Sequence, residues 1–159
     1  MKATDSIVFQ RVGLKSVNRT LLAAMTNKQS NADGTLSDEE IKWLVRRAKG
    51  GFGITTTAAA NVTETGRGWD GEMGVWGDHQ LPGLTKMANQ LNQTGTISIA
   101  QLFHGGMRAP ESLNGVQPIS ASKNTEAGMD GKYTREMSDE EINSMIESFT
   151  QAAVRCEKA

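Results

Sequence analysis

Three stretches of the sequence carry residues that suit a binding site for a flat, polar ligand. The first ends in Ala23-Ala24-Met25-Thr26, the second in Ala58-Ala59-Ala60, and the third runs from Gln101 to Gly106. Small side chains let a ligand approach the backbone closely, and a carboxamide offers both donors and acceptors to a heterocyclic ring. If the stretches meet at one end of a parallel sheet, they suit an isoalloxazine ring. The alternative is an ordinary sheet rim, in which Gln101 caps a neighbouring loop.

Three short strands are needed to bring these stretches together. Apolar and β-branched runs predict them near residues 20–25, 54–59 and 96–102. Helical spacing of apolar residues follows each strand, with a long loop before the last helix, so the order predicts parallel strands joined by right-handed crossovers. The strand starts lie 34 and 42 residues apart, a pitch typical of the (β/α)8 TIM barrel. The α/β chain would cover roughly the first three βα units of such a barrel.

The helices are predicted from their caps and apolar stripes. Residues 37–40 and 138–141 both read Ser-Asp-Glu-Glu, a capping box in which serine and the last glutamate exchange hydrogen bonds with the backbone. Pro82 fits the first turn of the helix between them. Residues 6–14 alternate weakly and predict an N-terminal hairpin that would close the floor of a barrel. The residues expected to face inward are Ile41, Leu44, Val45 and Ala48, then Leu84, Met87, Ala88 and Leu91, then Ile142, Met145, Ile146, Phe149, Ala152, Ala153 and Cys156.

The composition excludes several classes of protein. In 159 residues, 17 Lys and Arg balance 18 Asp and Glu, which argues against nucleic acid or a membrane surface as a partner. No apolar run approaches the roughly 18 residues of a membrane span, and residues 1–5 lead into no secretory signal, so we expect a cytoplasmic location. One cysteine and two isolated histidines, His79 and His104, predict neither an internal disulfide nor a metal site.

Several segments, in order along the chain, match a known family. They are Val17 to Thr26, Asp33-Gly34, Ala48 to Ile54, Gly66-Arg67, Gly74 to Asp78, and Ala100 to Gly106. Together they resemble the N-terminal part of the old yellow enzyme family of FMN-dependent NADH:flavin oxidoreductases, and the resemblance covers nearly the whole chain. It implies that residues 1–159 form the N-terminal part of a flavin-binding TIM-barrel domain. The implied cofactors are FMN, with NADH or NADPH as the reductant.

The resemblance also implies roles for individual residues. The loop Ala23-Ala24-Met25-Thr26 would lie against the flavin, with the Thr26 hydroxyl near the O4 and N5 edge of the ring. Ala59 would pass close to the carbonyl edge of the ring, and Gln101 would pair with its pyrimidine part. Lys28 lies where some members place a substrate-contacting tyrosine, so we expect it to bind substrate.

The activity implied by the resemblance is reduction of an activated alkene, a small-molecule substrate, by NAD(P)H through FMN. The catalytic His/Asn or His/His pair, the proton-donating tyrosine and the phosphate-binding loops of the family come from later strands. This chain therefore supplies part of the flavin bed and no catalytic residue. The alternative is a truncated or split half-barrel, inactive alone, that acts as a structural partner of a chain carrying the remaining strands. We accordingly expect an oligomer or a missing C-terminal half.

Overall fold

The computed structural model describes residues 1–125 and 133–159 and contains short strands, four α-helices and the connecting loops. In chain order the elements are β1 (Ile7–Phe9), β2 (Leu14–Ser16), β3 (Leu21–Leu22), α1 (Asp38–Lys49), β4 (Ile54–Asn61), β5 (Met73–Gly74), α2 (Leu81–Asn92), β6 (Ile97–Phe103), α3 (Glu111–Asn114), β7 (Ile119–Ser120), β8 (Arg135–Glu136) and α4 (Asp139–Lys158). The alternation of strands and helices is the one that the sequence predicts.

The central sheet is parallel, with β4 in its middle. Strand β3 pairs with the first residues of β4, in the register Leu21–Ile54, and β6 pairs along the opposite edge of β4. Helices α1 and α2 form the crossovers between these strands. Strand β5 pairs with the C-terminal end of β4, in the register Ala60–Met73. The predicted series of parallel βα units is confirmed.

Three local predictions need correction. The first strand is shorter than residues 20–25, because the chain leaves the edge of β4 after Leu22 and β5 takes the place farther along that edge. Strand β5 lies between the predicted second strand and the helix that contains Pro82, where the sequence predicts no strand. The long loop before the last helix contains α3 and the short parallel pair β7 and β8.

The core lies between the sheet and its helices. The stripe of α1 is buried as predicted, and Ser37 caps the helix by accepting the N–H of Glu40 at 3.1 Å. In α2, Leu84, Met87 and Leu91 are buried, and Ala88 is half-buried. The core residues shared by sheet and helices are Leu22, Ile41, Leu44, Val45, Ala48, Ala60, Val62, Met73, Val75, Leu84, Met87, Leu91 and Ala152.

Helix α4 buries less of its apolar stripe than predicted. Its capping box is present, since Ser138 and Glu141 exchange hydrogen bonds with the backbone. Ala152 is buried and Met145, Phe149 and Cys156 pack against the core, but Ile142, Ile146 and Ala153 are exposed. Helix α4 packs mainly against α2 and β6, so one side of its stripe lies at the surface.

The N-terminal hairpin is confirmed. Strands β1 and β2 pair antiparallel, in the register Ile7–Ser16. The hairpin leaves Val8, Val12 and Leu14 exposed. It is joined to the sheet through Asn18, whose Nδ2 donates to the carbonyl of Gly51 at 2.7 Å and whose Oδ1 accepts the N–H of Gly53 at 3.0 Å.

Candidate functional site

An irregularity in β4 decides which residues share a face of the sheet. Thr56 pairs with Ile99, but the next pair along the strands is Ala59 with Gln101. Two residues of β4 therefore oppose one residue of β6, which is a β-bulge. Because side chains alternate between the two faces of a strand, the extra residue sets Ala59 on the same face as Gln101.

The bulge is held by Thr57, which is one of the two residues of β4 that oppose Ala100. The Thr57 Oγ1 accepts the backbone N–H of Gln101 at 3.2 Å and donates to the carbonyl of Ala58 at 2.6 Å. The amide of Gln101 thus has an acceptor at the point where the regular pairing of the strands is interrupted. Since Thr57 is buried, water does not compete for this hydrogen bond.

The Gln101 carboxamide is free to bind a ligand. Its side chain is exposed, and within residues 1–125 and 133–159 it has no hydrogen-bond partner. It therefore does not cap a neighbouring loop, which was the alternative role considered for it. Ala59 beside it is only 8% exposed and presents a single methyl group. A flat wall with one free carboxamide results.

The loop after β3 carries the remaining predicted residues. Ala23, Met25 and Thr26 are exposed, and Ala24 is half-buried. The Thr26 hydroxyl makes no hydrogen bond to the described part of the chain. Lys28 is exposed as well and has a left-handed backbone, with φ of +54°. Such a backbone is uncommon for a residue other than glycine and persists where its surroundings hold it.

Gly71 and Ser30 hold this loop at the C-terminal end of the sheet. The N–H of Ser30 donates to the carbonyl of Gly71 at 3.1 Å. A Cβ on Gly71 would lie 2.7 Å from the carbonyl oxygen of Lys28, and Gly71 itself has φ of +71°, so glycine is required there. The loop with Thr26 and Lys28 thus reaches the end of the sheet at which Ala59 and Gln101 lie.

Glu40 fastens the same loop from the helix side. Its carboxylate does not reach back to the backbone of Ser37, as the predicted capping box would require. It accepts hydrogen bonds from the Ser30 hydroxyl and from Asn27 Nδ2, the latter at 3.1 Å. Burial raises the pKa of Glu40, and these two hydrogen bonds partly offset the rise. The burial of Glu40 has one signal in the sequence: Glu40 lies one helical turn before Leu44, at the edge of the apolar stripe of α1.

Glu72 is a second buried carboxyl that sequence reasoning misses. It is 2% exposed, and its Oε2 accepts the N–H of Gly68 at 2.6 Å. Burial raises the pKa of Glu72 to about 7, while hydrogen bonds from the amides of Gly68 and Trp69 and the charge of Arg67 act in the opposite direction. No local pattern marks this residue, because its burial depends on the pairing of β5 with β4.

His104 has a structural role. Its Nδ1 accepts the N–H of Gly106 at 2.9 Å, and burial lowers the pKa of the ring. Its ring also fills the space beside Gly66, where a Cβ would overlap it. Across the described ranges, no three His, Cys, Asp or Glu side chains come close enough to hold a metal ion.

The residues on this face fit one edge of a flavin ring. The pyrimidine part of the ring alternates carbonyl acceptors with an N–H donor, and the free carboxamide of Gln101 offers two donors and one acceptor. Ala59 leaves the sheet flat enough for a planar ring to lie close to the backbone. The unbonded hydroxyl of Thr26 adds a further donor. The donor set and the small wall residues thus agree with FMN.

Comparison of the sequence with known families gives a match over residues 7–159, to the NADH:flavin oxidoreductase / NADH oxidase family. The chain belongs to this family. The old yellow enzyme resemblance is therefore confirmed, and FMN with NADH or NADPH is confirmed as the cofactor set at the level of the family.

Curated members of the flavin oxidoreductase family include proteins of very different length. The chain is 38% identical over 152 residues to an NADH:acrylate oxidoreductase of Vibrio harveyi, covering 95% of this chain and 15% of that protein. It is 32% identical over 148 residues to a probable NADH-dependent flavin oxidoreductase of Bacillus subtilis, covering 92% of this chain and 39% of that protein. The chain thus spans less than half the length of these relatives.

Solved structures confirm the fold. A 2-naphthoyl-CoA reductase complex superposes with a TM-score of 0.92 at 28% identity, over 98% of this chain and 25% of that one. The old yellow enzyme homologue from Zymomonas mobilis gives 0.91 at 23% identity, over 99% of this chain and 46% of that one. The chain has the fold of the N-terminal portion of a TIM barrel. None of its described helices has the length and hydropathy needed to cross a membrane.

Proposed function

We propose that residues 1–159 form the N-terminal part of a flavin-binding TIM-barrel domain, in an FMN-dependent enzyme that uses NADH or NADPH to reduce activated alkenes. The observation that carries the proposal is the pairing of Ala59 with Gln101 on one face of the sheet. Bound FMN would supply hydride transfer between nicotinamide and substrate. A cytoplasmic location stays a prediction.

The residues of this chain would hold and orient the flavin ring. Gln101 would bind its pyrimidine part, and the methyl group of Ala59 would let the ring approach the sheet. The segment Ala23-Ala24-Met25-Thr26 would form a second wall, with the Thr26 hydroxyl donating to the ring. Hydrogen-bond donors fixed in advance by the fold stabilise the extra electron density of a reduced ring without reorganisation.

Lys28 is proposed to bind the substrate. Its exposed ammonium group makes no hydrogen bond or ion pair with the described residues, and its left-handed backbone is held against Gly71. Two relatives are named for acrylate and for fumarate, whose double bonds are conjugated to carboxylates. A free cation beside the flavin face suits the electron-withdrawing group of such an alkene, which would favour negatively charged substrates.

The test of the proposed flavin site is the substitution Gln101→Leu. Leucine removes the carboxamide and leaves polar atoms of the ring unpaired, at a cost of roughly 1–3 kcal/mol, or about 5- to 150-fold in the FMN dissociation constant. Gln93→Leu, at an exposed position after α2, is the matched control and should bind FMN as the unmodified protein does. An unchanged FMN dissociation constant in Gln101→Leu would show that Gln101 does not bind the flavin ring.

A second candidate function is that of a structural half-barrel with no activity of its own. The observation that favours it is the apolar surface left open, with Leu21, Ile99, Ile142 and Ile146 all exposed. Such surface favours association with a chain carrying further strands, or with a second copy. If this candidate is right, the purified 159-residue chain will be colourless, will associate in size-exclusion chromatography and will be inactive with 2-cyclohexenone, NADPH and added FMN. Flavin absorbance in a monomeric, active preparation would exclude this candidate.

A further inference from the structure

A buried carboxyl shares the face of the sheet on which the flavin site is proposed. Met73 pairs with Ala60, and both side chains belong to the helix-facing core. Glu72 comes directly before β5, and continuing the alternation of side chains by one residue places its side chain on the face of Gln101. Since neighbouring strands are about 4.8 Å apart, the backbones of Glu72 and Gln101 are separated by about 10 Å. This is comparable with the length of a flavin ring.

The Glu72 carboxyl holds the loop that precedes it against this face. Its Oε2 accepts the N–H of Gly68 at 2.6 Å, and the neighbouring amide of Trp69 lowers the pKa of the carboxyl. A Cβ on Gly68 would lie 3.2 Å from Cε1 of Phe103, and the rings of Trp69 and Phe103 have centroids 5.4 Å apart. Phe103 follows Gln101 by two residues on β6 and so points to the same side. One carboxyl thus connects the loop, two aromatic rings and the flavin face.

Unpartnered polar atoms are concentrated in the same region. Among the described residues, the buried side-chain atoms without a hydrogen-bond partner are Asn61 Oδ1, Thr63 Oγ1, Arg67 Nε, Glu72 Oε1 and Asn114 Oδ1. The first four lie between residues 61 and 72, and Asn114 donates to the carbonyl of Arg67 at 2.9 Å. Buried polar groups without partners are uncommon in native proteins and mark bound water or a functional constraint.

We propose that Glu72 is a positioning residue of the flavin site, whose uncharged carboxyl holds Trp69 and the loop over residues 66–71 against Phe103 and whose ionisation loosens that wall. The inference rests on the proposed function, because it places FMN on the face of Gln101. Burial raises the pKa of Glu72 to about 7, so the change of charge falls near neutral pH.

Among the described residues, Arg67, His104 and Lys28 are the charged or titratable groups that bear on the loop around Glu72. Arg67, on the same loop, is the cation whose charge acts on it, and Arg67 is itself held by the carbonyl of Ala32 at 2.9 Å. His104, directly after β6, has a pKa lowered by burial, which favours its neutral form. Lys28 touches the region through its backbone, beside Gly71, and its side chain is exposed.

The experiment compares Glu72→Gln and Glu72→Ala with the unmodified protein labelled with 5-fluorotryptophan. The 19F resonance of Trp69, assigned with Trp69→Phe, is followed from about pH 5.5 to about pH 8.5. In the unmodified protein it should move with a midpoint near 7. In Glu72→Gln, which keeps an acceptor and cannot ionise, it should stay at its acid-form position, and in Glu72→Ala it should be displaced at every pH. Glu64→Gln, at an exposed position in the preceding turn, should behave as the unmodified protein.

FMN affinity gives the second readout. The FMN dissociation constant of the unmodified protein should rise about 5-fold from the acid to the alkaline end of the pH range. That of Glu72→Gln should not change with pH. That of Glu72→Ala should be about 5-fold higher, at every pH, than that of the unmodified protein at the acid end. A Trp69 resonance that does not titrate, or a midpoint that persists in Glu72→Gln, would overturn the role of Glu72. If no variant binds FMN, the proposed function fails, while the resonance still decides whether Glu72 positions the loop.

Discussion

The two faces of the parallel sheet differ in what they are made of. The face toward the helices is covered by apolar side chains of strand and helix, such as Met73 of β5, Leu44 of α1 and Leu91 of α2, each of which is almost fully buried. The opposite face presents Ala59, a buried carboxyl and the free carboxamide of Gln101. Packing on one face of β4 thus stabilises the fold, and the other face can carry polar groups and open space for a ligand.

The largest effect on stability is expected from Leu44→Ala. Leu44 is fully buried in α1, and truncating a buried leucine costs about 2–5 kcal/mol through lost apolar contact and the cavity left behind. The free energy of unfolding in urea is the measurement. Ile146→Ala, at a position 60% exposed, is the control and should change it by less than about 0.5 kcal/mol. Equal losses at both positions would contradict the conclusion that the buried core, and not the exposed apolar surface, stabilises the fold.

The next effect concerns the pH dependence contributed by Glu72. Its carboxyl stays protonated in the folded protein up to about pH 7 but ionises in the unfolded chain near its ordinary value of 4.5. Between these values the folded state binds more protons than the unfolded chain does. The contribution of Glu72 to the free energy of unfolding is therefore greatest below pH 4.5 and falls until about pH 7. We expect a loss on the order of 2 kcal/mol over this range, which Glu72→Gln should abolish. If the free energy of unfolding in urea changes with pH in the same way for Glu72→Gln and for the unmodified protein, Glu72 is not the source of this dependence.

A smaller loss is expected from Thr57→Val. Valine has the same shape but no hydroxyl, so the N–H of Gln101 loses its acceptor inside the protein, at about 1–2 kcal/mol. Because the bulge sets the face on which Ala59 lies, FMN affinity should fall together with stability. Thr57→Ser keeps the hydroxyl and should restore most of both. A valine variant with unaltered urea midpoint would show that the bulge does not depend on this hydrogen bond.

The smallest effect on stability is expected from Gln101→Leu. The side chain is exposed and unpaired within the described ranges, so its replacement should change the free energy of unfolding by less than about 0.5 kcal/mol. The same variant should lose FMN affinity, so that binding and stability separate at this residue. A large loss of stability would mean that the open face contributes to the fold after all, and the contrast between the faces would need revision.

The helices are predictable from sequence because their signals are local. Ser37 and Ser138 cap α1 and α4 as their neighbours indicate, and the stripe of α1 is buried as its spacing requires. The exposure of Ile142 and Ile146 is not predictable in the same way, since spacing shows that residues share a side of a helix but not what packs on it. Strand β5 is too short, at two residues, to leave a period in the sequence.

The site is predictable where it depends on residue type and not where it depends on pairing. Ala59 and Gln101 stand out as a small residue and an amide at the ends of strands, and the sheet does place them side by side. The burial of Glu40 and Glu72 is not predictable in this way, because acidic residues are ordinarily exposed. Their burial depends on partners that are distant along the chain, Ser30 and Asn27 for Glu40, or on the register of a neighbouring strand for Glu72.

The bulge in β4 has a consequence for how this segment can evolve. Around it the sequence reads Thr-Thr-Thr-Ala-Ala-Ala, so exchanging one of these small residues for another, except Thr57 with its bonded hydroxyl, leaves the layout of the strand intact. Deleting a single residue would have a different effect. It restores strict alternation, so that each later side chain of β4 points to the opposite face of the sheet. Ala59 and Asn61 would exchange sides with Ala60 and Val62. The strand should therefore tolerate substitutions among small residues but not a deletion, because a deletion changes which face every later side chain occupies.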